Sequence, residues 1–431
     1  MANAAVLRSA SFSVANQHAL ATILEASQTK SIIASRDIFD ISGIKLWARD
    51  QPVSSALQRR LLDRQLRNPL ESCLLAEDGV SPHTLVQAAE VQLERGGPLV
   101  ALLKPHAARL LKETGHLPLH SVPQLLLTAA QASRPEAFTH AVQAMLLCGA
   151  MMDRHGGGVA ELRLALLAGL LHDLGEMYID PRYGEAEADR ELDFVSYQQL
   201  VVHPHVGHLL IAQLTNYPGA LSRAIAEHHE RLDGSGYPHS LQRDEVSPLG
   251  RMLAVAEAAL GSLRGAAAAG AGEQVPTLAR ASVALRAVPG EFDLNWIGAI
   301  EAAARAEPPH RSRITSADVQ ARLTRLDDAL RAAEAKAAEL APRAEAPPLK
   351  NAVALVRHLL GRLRLGWNAS GLWSASAVPV RDAAEVEAIE DELIFRLRGI
   401  ERAALLRAGE LAPGDAGRLE QLCLSLRAMA E

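Results

Sequence analysis

Nine of the chain's 16 histidines fall between His140 and His239, and several stand beside carboxylates. Glu136 and His140 lie four apart in RPEAFTHAVQAMLL, so on a helix they share one face. His172 and Asp173 close the apolar run LRLALLAGLLHD, and His203 stands in VVHPHVGHLL. His228 and His229 are adjacent in AEHHERLDGSGYP, which continues through Asp233, Gly234, Gly236, Tyr237 and Pro238; Glu257 sits in RMLAVAEAAL. Imidazoles and carboxylates without a thiolate suit divalent ions such as Fe, Mn, Zn or Co. There are enough ligands for two ions, with a carboxylate such as Asp173 bridging them at about 3.5–4 Å so that water is activated between them. Ligands spread over several helices require those helices to converge, as in the cores of helical bundles. A lone His or a lone HisAsp pair is weak evidence, and the joint pattern carries the reading. His155, His205, His208 and His239 read as bystanders.

The elements that position these residues are mainly helical. Aromatics are 3% of the 431 residues, and Ala and Leu dominate, which favours helices. The segment 31–50 places β-branched residues around a DISG turn and reads as a strand pair. Ser54–Leu75 reads as an amphipathic helix from Leu57, Leu61, Leu62, Leu66 and Leu70. A boundary is expected near 118–125. Helix follows helix to about 310, broken by the Ala/Gly-rich piece 265–276, which reads as a loop. Thr315 and Asp318 form a capping pattern before a stripe of Val319, Leu323, Leu326, Leu330, Ala333, Ala337 and Leu340. That stripe fits one amphipathic helix packed on its own domain, a hairpin, or a short coil that makes a homodimer. The Pro-rich stretch 341–349 reads as a linker to a last helical region, 350–431.

The net charge of −6 argues against a general polyanion binder, so DNA is not an expected partner. Cys73, Cys148 and Cys423 are distant and odd in number, which fits a reducing cytoplasm and no disulfide framework. Met1–Ser31 lacks the pattern of a signal peptide, and no apolar run is long enough to span a membrane.

The ordered set His140, HDLG at 172–175, HPxxG from His203 and HHExxDGxGYP at 228–238 resembles the HD superfamily of metal-dependent phosphohydrolases, specifically its HD-GYP branch. The resemblance covers about 125–310, and the terminal GlyTyrPro is its specific signal. Together with the pattern along the chain it gives three expected parts: an α+β N-terminal module (1–122), an HD-type helical bundle (123–310) and a helical C-terminal region (311–431). It also implies hydrolysis of cyclic di-GMP in bacterial signalling. The implied metal ligands are His140, His172, Asp173, His203, His228 and His229, with Glu257 where the family has the Asp of a VAD motif. Glu136 matches a residue of members that hold three metals, so two or three Fe, Mn or similar ions are implied. Asp233, Gly234, Gly236, Tyr237 and Pro238 would shape the lip of the site, and the GYP surface is linked in the family to diguanylate cyclase-type partners.

The departures concern substrate. Glu176 stands where the family's HDxGK motif has a phosphate-binding lysine, so Asp173 and Glu176 are the expected reaction-centre residues, with Glu176 weakening phosphate binding. The basic segment after VAD is replaced by Leu260, Arg264 and the Ala/Gly stretch, and 181–193 is acidic. Two other readings follow: a signalling adaptor with a weakened site, and an HD phosphohydrolase for another nucleotide.

Overall fold

A computed structural model describes residues 12–181, 200–268, 277–307, 316–370, 383–408 and 411–430. The acidic stretch beyond Pro181, the Ala/Gly stretch from 269 onward and Thr315 lie outside the described residues. The fold is mainly α, with two short two-stranded sheets.

Residues up to Leu260 form one compact unit and those from Gly261 a second, so the boundary expected near 118–125 falls within the first unit. The first unit opens with α1 (Gln17–Ala26), capped by Asn16, whose side chain accepts from the His18 and Ala19 amides. Strands β1 (Ile32–Ala34), β2 (Ile38–Phe39) and β3 (Lys45–Trp47) follow. The β2–β3 pair turns through the DISG segment, as the sequence suggests. The helix expected over Ser54–Leu75 is much shorter: α2 is Ser55–Leu61. Asp63 has φ +57°, and Pro69 cannot continue a helical hydrogen-bond ladder. Leu62 is therefore 64% exposed, while Leu66 and Leu70 are buried through a β-bridge and a 3-10 turn. That turn leads into β4 (Leu74–Ala76), which pairs antiparallel with β1.

Next come α3 (Pro82–Glu94), α4 (Pro98–Leu103), α5 (Ala107–Thr114) and α6 (Ser121–Ser133). Helix α7 (Pro135–Arg154) starts on a proline, whose missing amide costs nothing at that position. Helix α8 (Val159–Leu171) is apolar on nearly every face and accordingly buried. A Cβ on Gly169 would lie 2.3 Å from the Ala144 carbonyl oxygen, so this glycine lets α7 and α8 approach closely. A 3-10 turn, Leu174–Tyr178, leaves the end of α8. Helices α9 (His203–Leu214), α10 (Gly219–Glu227) and α11 (Pro248–Ala268) complete the set, and α11 takes up the first residues of the expected Ala/Gly loop.

The second unit contains α12 (Leu278–Arg286), α13 (Leu294–Ala304), α14 (Ser316–Leu340), α15 (Pro347–Ser370), α16 (Ala383–Ala408) and α17 (Pro413–Ala430). The sequence boundary near 310 therefore lies inside this unit. Leu323, Leu326, Leu330, Ala333 and Ala337 are buried in its core with Leu349, Val353, Leu360 and Leu419. The stripe is thus consumed within the chain, which removes it as a dimerising coil. The Pro-rich 341–349 is not a separating linker: a 3-10 turn, Ala341–Arg343, leads to Pro347 at the start of α15. The charged run on α16 ties the bundle, with Glu390 to Arg322 (2.7 Å), Asp391 to Arg280, and Arg396 to Glu291.

All three cysteines are free and buried, and among the described residues no helix is long and apolar enough to cross a membrane.

Candidate metal centre

The first unit brings together residues that are widely separated in sequence. His140 is on α7, His172 caps α8, Asp173 follows it, His203 opens α9, His228 and His229 follow α10, and Glu257 is on α11. Two groups with metal-ligating geometry result: His140, His172, Asp173 and Glu257, and Asp173, His203, His228 and His229. Within each, the candidate ligand atoms lie within 4.8 Å of one another.

Asp173 belongs to both. Its Oδ2 lies 3.0 Å from His172 Nε2 and 3.3 Å from His140 Nε2. Its Oδ1 lies 3.5 Å from His203 Nε2 and 3.4 Å from His228 Nε2. Glu257 Oε2 closes the first group at 2.9 Å from His140 Nε2 and 3.1 Å from His172 Nε2. The extra methylene relative to an aspartate is accommodated without exposing the carboxylate, since Glu257 is buried.

The outer contacts fix the imidazoles for ligation. Nδ1 donates to the Gly169 carbonyl from His172 (2.8 Å), to the Leu200 carbonyl from His203 (2.6 Å) and to the Ile225 carbonyl from His228 (2.6 Å). A carbonyl can only accept, so each Nδ1 carries a proton, and in the neutral ring Nε2 presents its lone pair to the site. Yet the Nε2 atoms of His203 and His228 stand 3.0 Å apart. Two lone pairs at that separation repel unless a cation or proton lies between them. Asp173 Oδ1 is buried and has no hydrogen-bond partner among the described residues. These observations and the donor chemistry fit a divalent ion in each group.

The electrostatics divide the site. Burial disfavours charge on His172, but Asp173 and Glu257 outweigh it and hold its pKa well above the usual value. Burial would raise Asp173, but the surrounding imidazoles, with the His172 charge first, hold it well below the usual carboxylate range. His228 is held well below normal by burial and then by neighbouring His229, which favours its neutral form.

Glycines let the backbone segments meet. A Cβ on Gly175 would lie 2.0 Å from the His203 carbonyl oxygen and 2.8 Å from the Gly207 nitrogen. A Cβ on Gly207 would lie 2.9 Å from Ile225 Cγ2. The glycines of HDLG and HPxxG therefore do one job between them: they let the Asp173 turn sit directly against α9.

The 228–242 loop is held by its own polar groups. The Glu230 carboxylate accepts from the His239 amide (2.7 Å) and the Leu241 amide (2.9 Å). Asp233 accepts from the Ser235 amide (3.0 Å) and hydroxyl (2.6 Å), and Gly234 has φ +80°. A Cβ on Gly236 would lie 2.4 Å from the His229 carbonyl oxygen. Tyr237 stacks on His229, with ring centroids 4.5 Å apart and planes 18° apart; Pro238 follows it. We expect Tyr237→Ala to weaken one of two bound Mn²⁺ ions about tenfold, measured by calorimetric titration, because the ring of His229 loses its support.

Some expected site residues fall elsewhere. Glu136, one turn before His140, is exposed and belongs to neither group. His155 and His239 are exposed; His205 and His208 are half-buried, and none of the four belongs to either group. Glu176 is buried and also belongs to neither. Its charge acts on the guanidinium of Arg134, whose pKa is lowered chiefly by burial and raised back by Glu176, Asp180 and Glu25. The anion at 176 thus has a nearby cation, which sequence reasoning missed because Arg134 is 42 positions away. Glu176→Lys would put a second cation near the half-buried Arg134 and is expected to lower Tm, measured by thermal unfolding.

A family model described as HD domain matches residues 126–270. A cyclic di-GMP phosphodiesterase, PA4108 of Pseudomonas aeruginosa, is 27% identical over 210 residues, covering 48% of this chain and 47% of the relative. The cyclic di-GMP phosphodiesterase response regulator RpfG of Xanthomonas campestris is 30% identical over 112 residues, covering 26% of this chain and 29% of the relative. Residues 126–270 form an HD domain. The 3'3'-cGAMP-specific phosphodiesterase 2 of Vibrio cholerae is 29% identical over 142 residues, covering 32% of this chain and 27% of the relative. The chain spans about half or less of the length of these curated relatives. All the residues of both ligand groups lie inside the matched HD domain.

Proposed function

We propose that the protein is a metal-dependent phosphodiesterase that hydrolyses cyclic di-GMP. The observation that carries this is the pair of four-ligand groups sharing Asp173. Support comes from the HD domain match and from relatives named for cyclic dinucleotides. Bound there, two divalent ions would activate water and neutralise charge on the phosphodiester. The chain's own residues supply the rest. Asp173 spans the two positions with its two oxygens. His172, His203 and His228 hold their Nε2 lone pairs inward through their Nδ1 hydrogen bonds. Tyr237 keeps the plane of His229. The ions are Mn or Fe in this reading, and a third is not favoured because Glu136 is exposed.

The test is a substrate panel on protein loaded with Mn²⁺ under reducing conditions. Cyclic di-GMP, 3'3'-cGAMP and a mononucleotide ester are supplied separately, and products are resolved by chromatography. The reading expects linear dinucleotide or GMP from cyclic di-GMP, with the highest kcat/KM of the three. A higher kcat/KM for another ester assigns the site to that nucleotide. No turnover by protein carrying two ions leaves the domain a signalling adaptor, with cyclase-type proteins as its partners.

A further inference from the structure

The 3-10 turn after Asp173 is tied along its length to residues that precede the HD domain. Tyr178 donates its hydroxyl to Glu71 Oε1 at 2.6 Å, and both side chains are buried. Asn16 Nδ2 donates to the Tyr178 carbonyl at 3.1 Å, and Phe12 meets the Tyr178 ring edge-on at 5.8 Å. Arg134 forms a second tie: Nη1 donates to the Glu176 carbonyl at 3.1 Å and Nη2 to Thr22 Oγ1 on α1 at 3.0 Å. Four residues from the first 71 therefore hold a turn whose other end is the carboxylate common to both ligand groups.

These ties are directional, and the Tyr178–Glu71 bond is buried. A buried Glu–Tyr pair and a half-buried guanidinium cost desolvation that an apolar contact would avoid, so the arrangement is hard to explain by stability alone. What directional bonds to main-chain carbonyls add is position. The Glu176 amide bonds back to the Asp173 carbonyl at 2.9 Å, so a shift of the turn carries Asp173 with it. Beyond the turn there is little slack, because Gly175 already touches the His203 backbone.

We propose that Tyr178 and Arg134 are positioning residues through which the N-terminal segment sets the geometry of the metal centre. This rests on the reading of Asp173 as the shared ligand. It makes the N-terminal segment part of the machinery that holds the ions: whatever loosens its grip on the turn lowers affinity at both groups together. Partners bonded directly to the ligands are typically worth about 10–100-fold in metal affinity; these ties act one step further out, so the lower end of that range is expected.

The experiment uses full-length protein stripped with a chelator and titrated calorimetrically with Mn²⁺ alone. Tyr178→Phe removes the bond to Glu71, and Thr22→Val, a milder change, removes one acceptor of Arg134. Leu57→Ala opens a fully buried position in α2, takes no part in the bonds named above, and serves as the control for general loosening. The proposal expects both tie variants to bind Mn²⁺ about tenfold more weakly at both groups, with Leu57→Ala within twofold of wild type despite a lower Tm. Unchanged affinity in folded Thr22→Val and Tyr178→Phe would overturn it, and so would an equal loss in Leu57→Ala. A wild type that binds no Mn²⁺ removes the metal reading and this proposal with it, and that failure is visible before any variant is made.

Discussion

Asp173→Ala is expected to leave fewer than one divalent ion per chain and to lower phosphodiester hydrolysis by at least about 10²–10³-fold. The size follows from its double role. No other residue belongs to both groups, and its two oxygens face two different pairs of imidazoles. Within the two groups, removing it leaves Glu257 as the carboxylate beside His140 and His172, and leaves His203, His228 and His229 without one among the described residues. Glu257→Ala touches only the first group, so one ion should remain. Glu136→Ala should leave the metal content unchanged, since Glu136 is exposed and outside both groups. Elemental analysis of the three variants after identical loading checks the order. Equal metal in Asp173→Ala and wild type would mean that the carboxylate is not a ligand.

The second large effect comes from one methyl group. Gly175→Ala places a Cβ 2.0 Å from the His203 carbonyl oxygen, which is main chain and cannot rotate away. The Asp173 turn or the start of α9 must move. Overpacking of this kind costs about 3 kcal/mol, which corresponds to a fall of roughly 6–12 °C in Tm for a unit of this size. Metal affinity should fall with it, because His203 and Asp173 are carried by the two segments being forced apart. Gly298→Ala is the fitting control: it lies within α13, and an added Cβ meets nothing within 4 Å. Thermal unfolding in the presence and absence of Mn²⁺ separates the two parts of the expected loss.

A pH effect should accompany the Tyr178 contact. Burial raises the pKa of Glu71 and only partly loses to the hydrogen bond from Tyr178. The folded state therefore holds the Glu71 proton to higher pH than the unfolded chain does. Its contribution to stability is full at low pH and is lost as pH rises through the raised value. Glu71→Gln should remove that part of the dependence, so its Tm relative to wild type should improve between pH 4 and pH 8.

The His and Asp residues of the centre could be read in the sequence because chemistry fixes their type, and helix ends and short motifs fix their local setting. The buried α8 announces itself as an apolar run that stops at His172, and DISG marks the β2–β3 turn. What could not be read depends on contacts between distant positions. The β1–β4 pair joins Ile32 to Ala76 with no local signal, and the helical spacing of Leu57, Leu61, Leu62, Leu66 and Leu70 runs on past the point where Asp63 and Pro69 end the helix. The heptad stripe on α14 could show an apolar face but not which partner covers it; α15 and its neighbours do so within the chain. Glu176 looked like an uncompensated anion because its cation, Arg134, comes from the start of another helix. The contact of Gly175 with Gly207 likewise has no signal beyond two glycines in two separate motifs.

The most direct test starts from chelator-stripped wild-type protein, titrated with Mn²⁺ in steps while bound metal and cleavage of cyclic di-GMP are followed in the same samples. The dinuclear reading predicts no turnover without metal and full turnover as the second equivalent binds. Cleavage by the stripped protein, or two bound ions with cyclic di-GMP left intact, would contradict it.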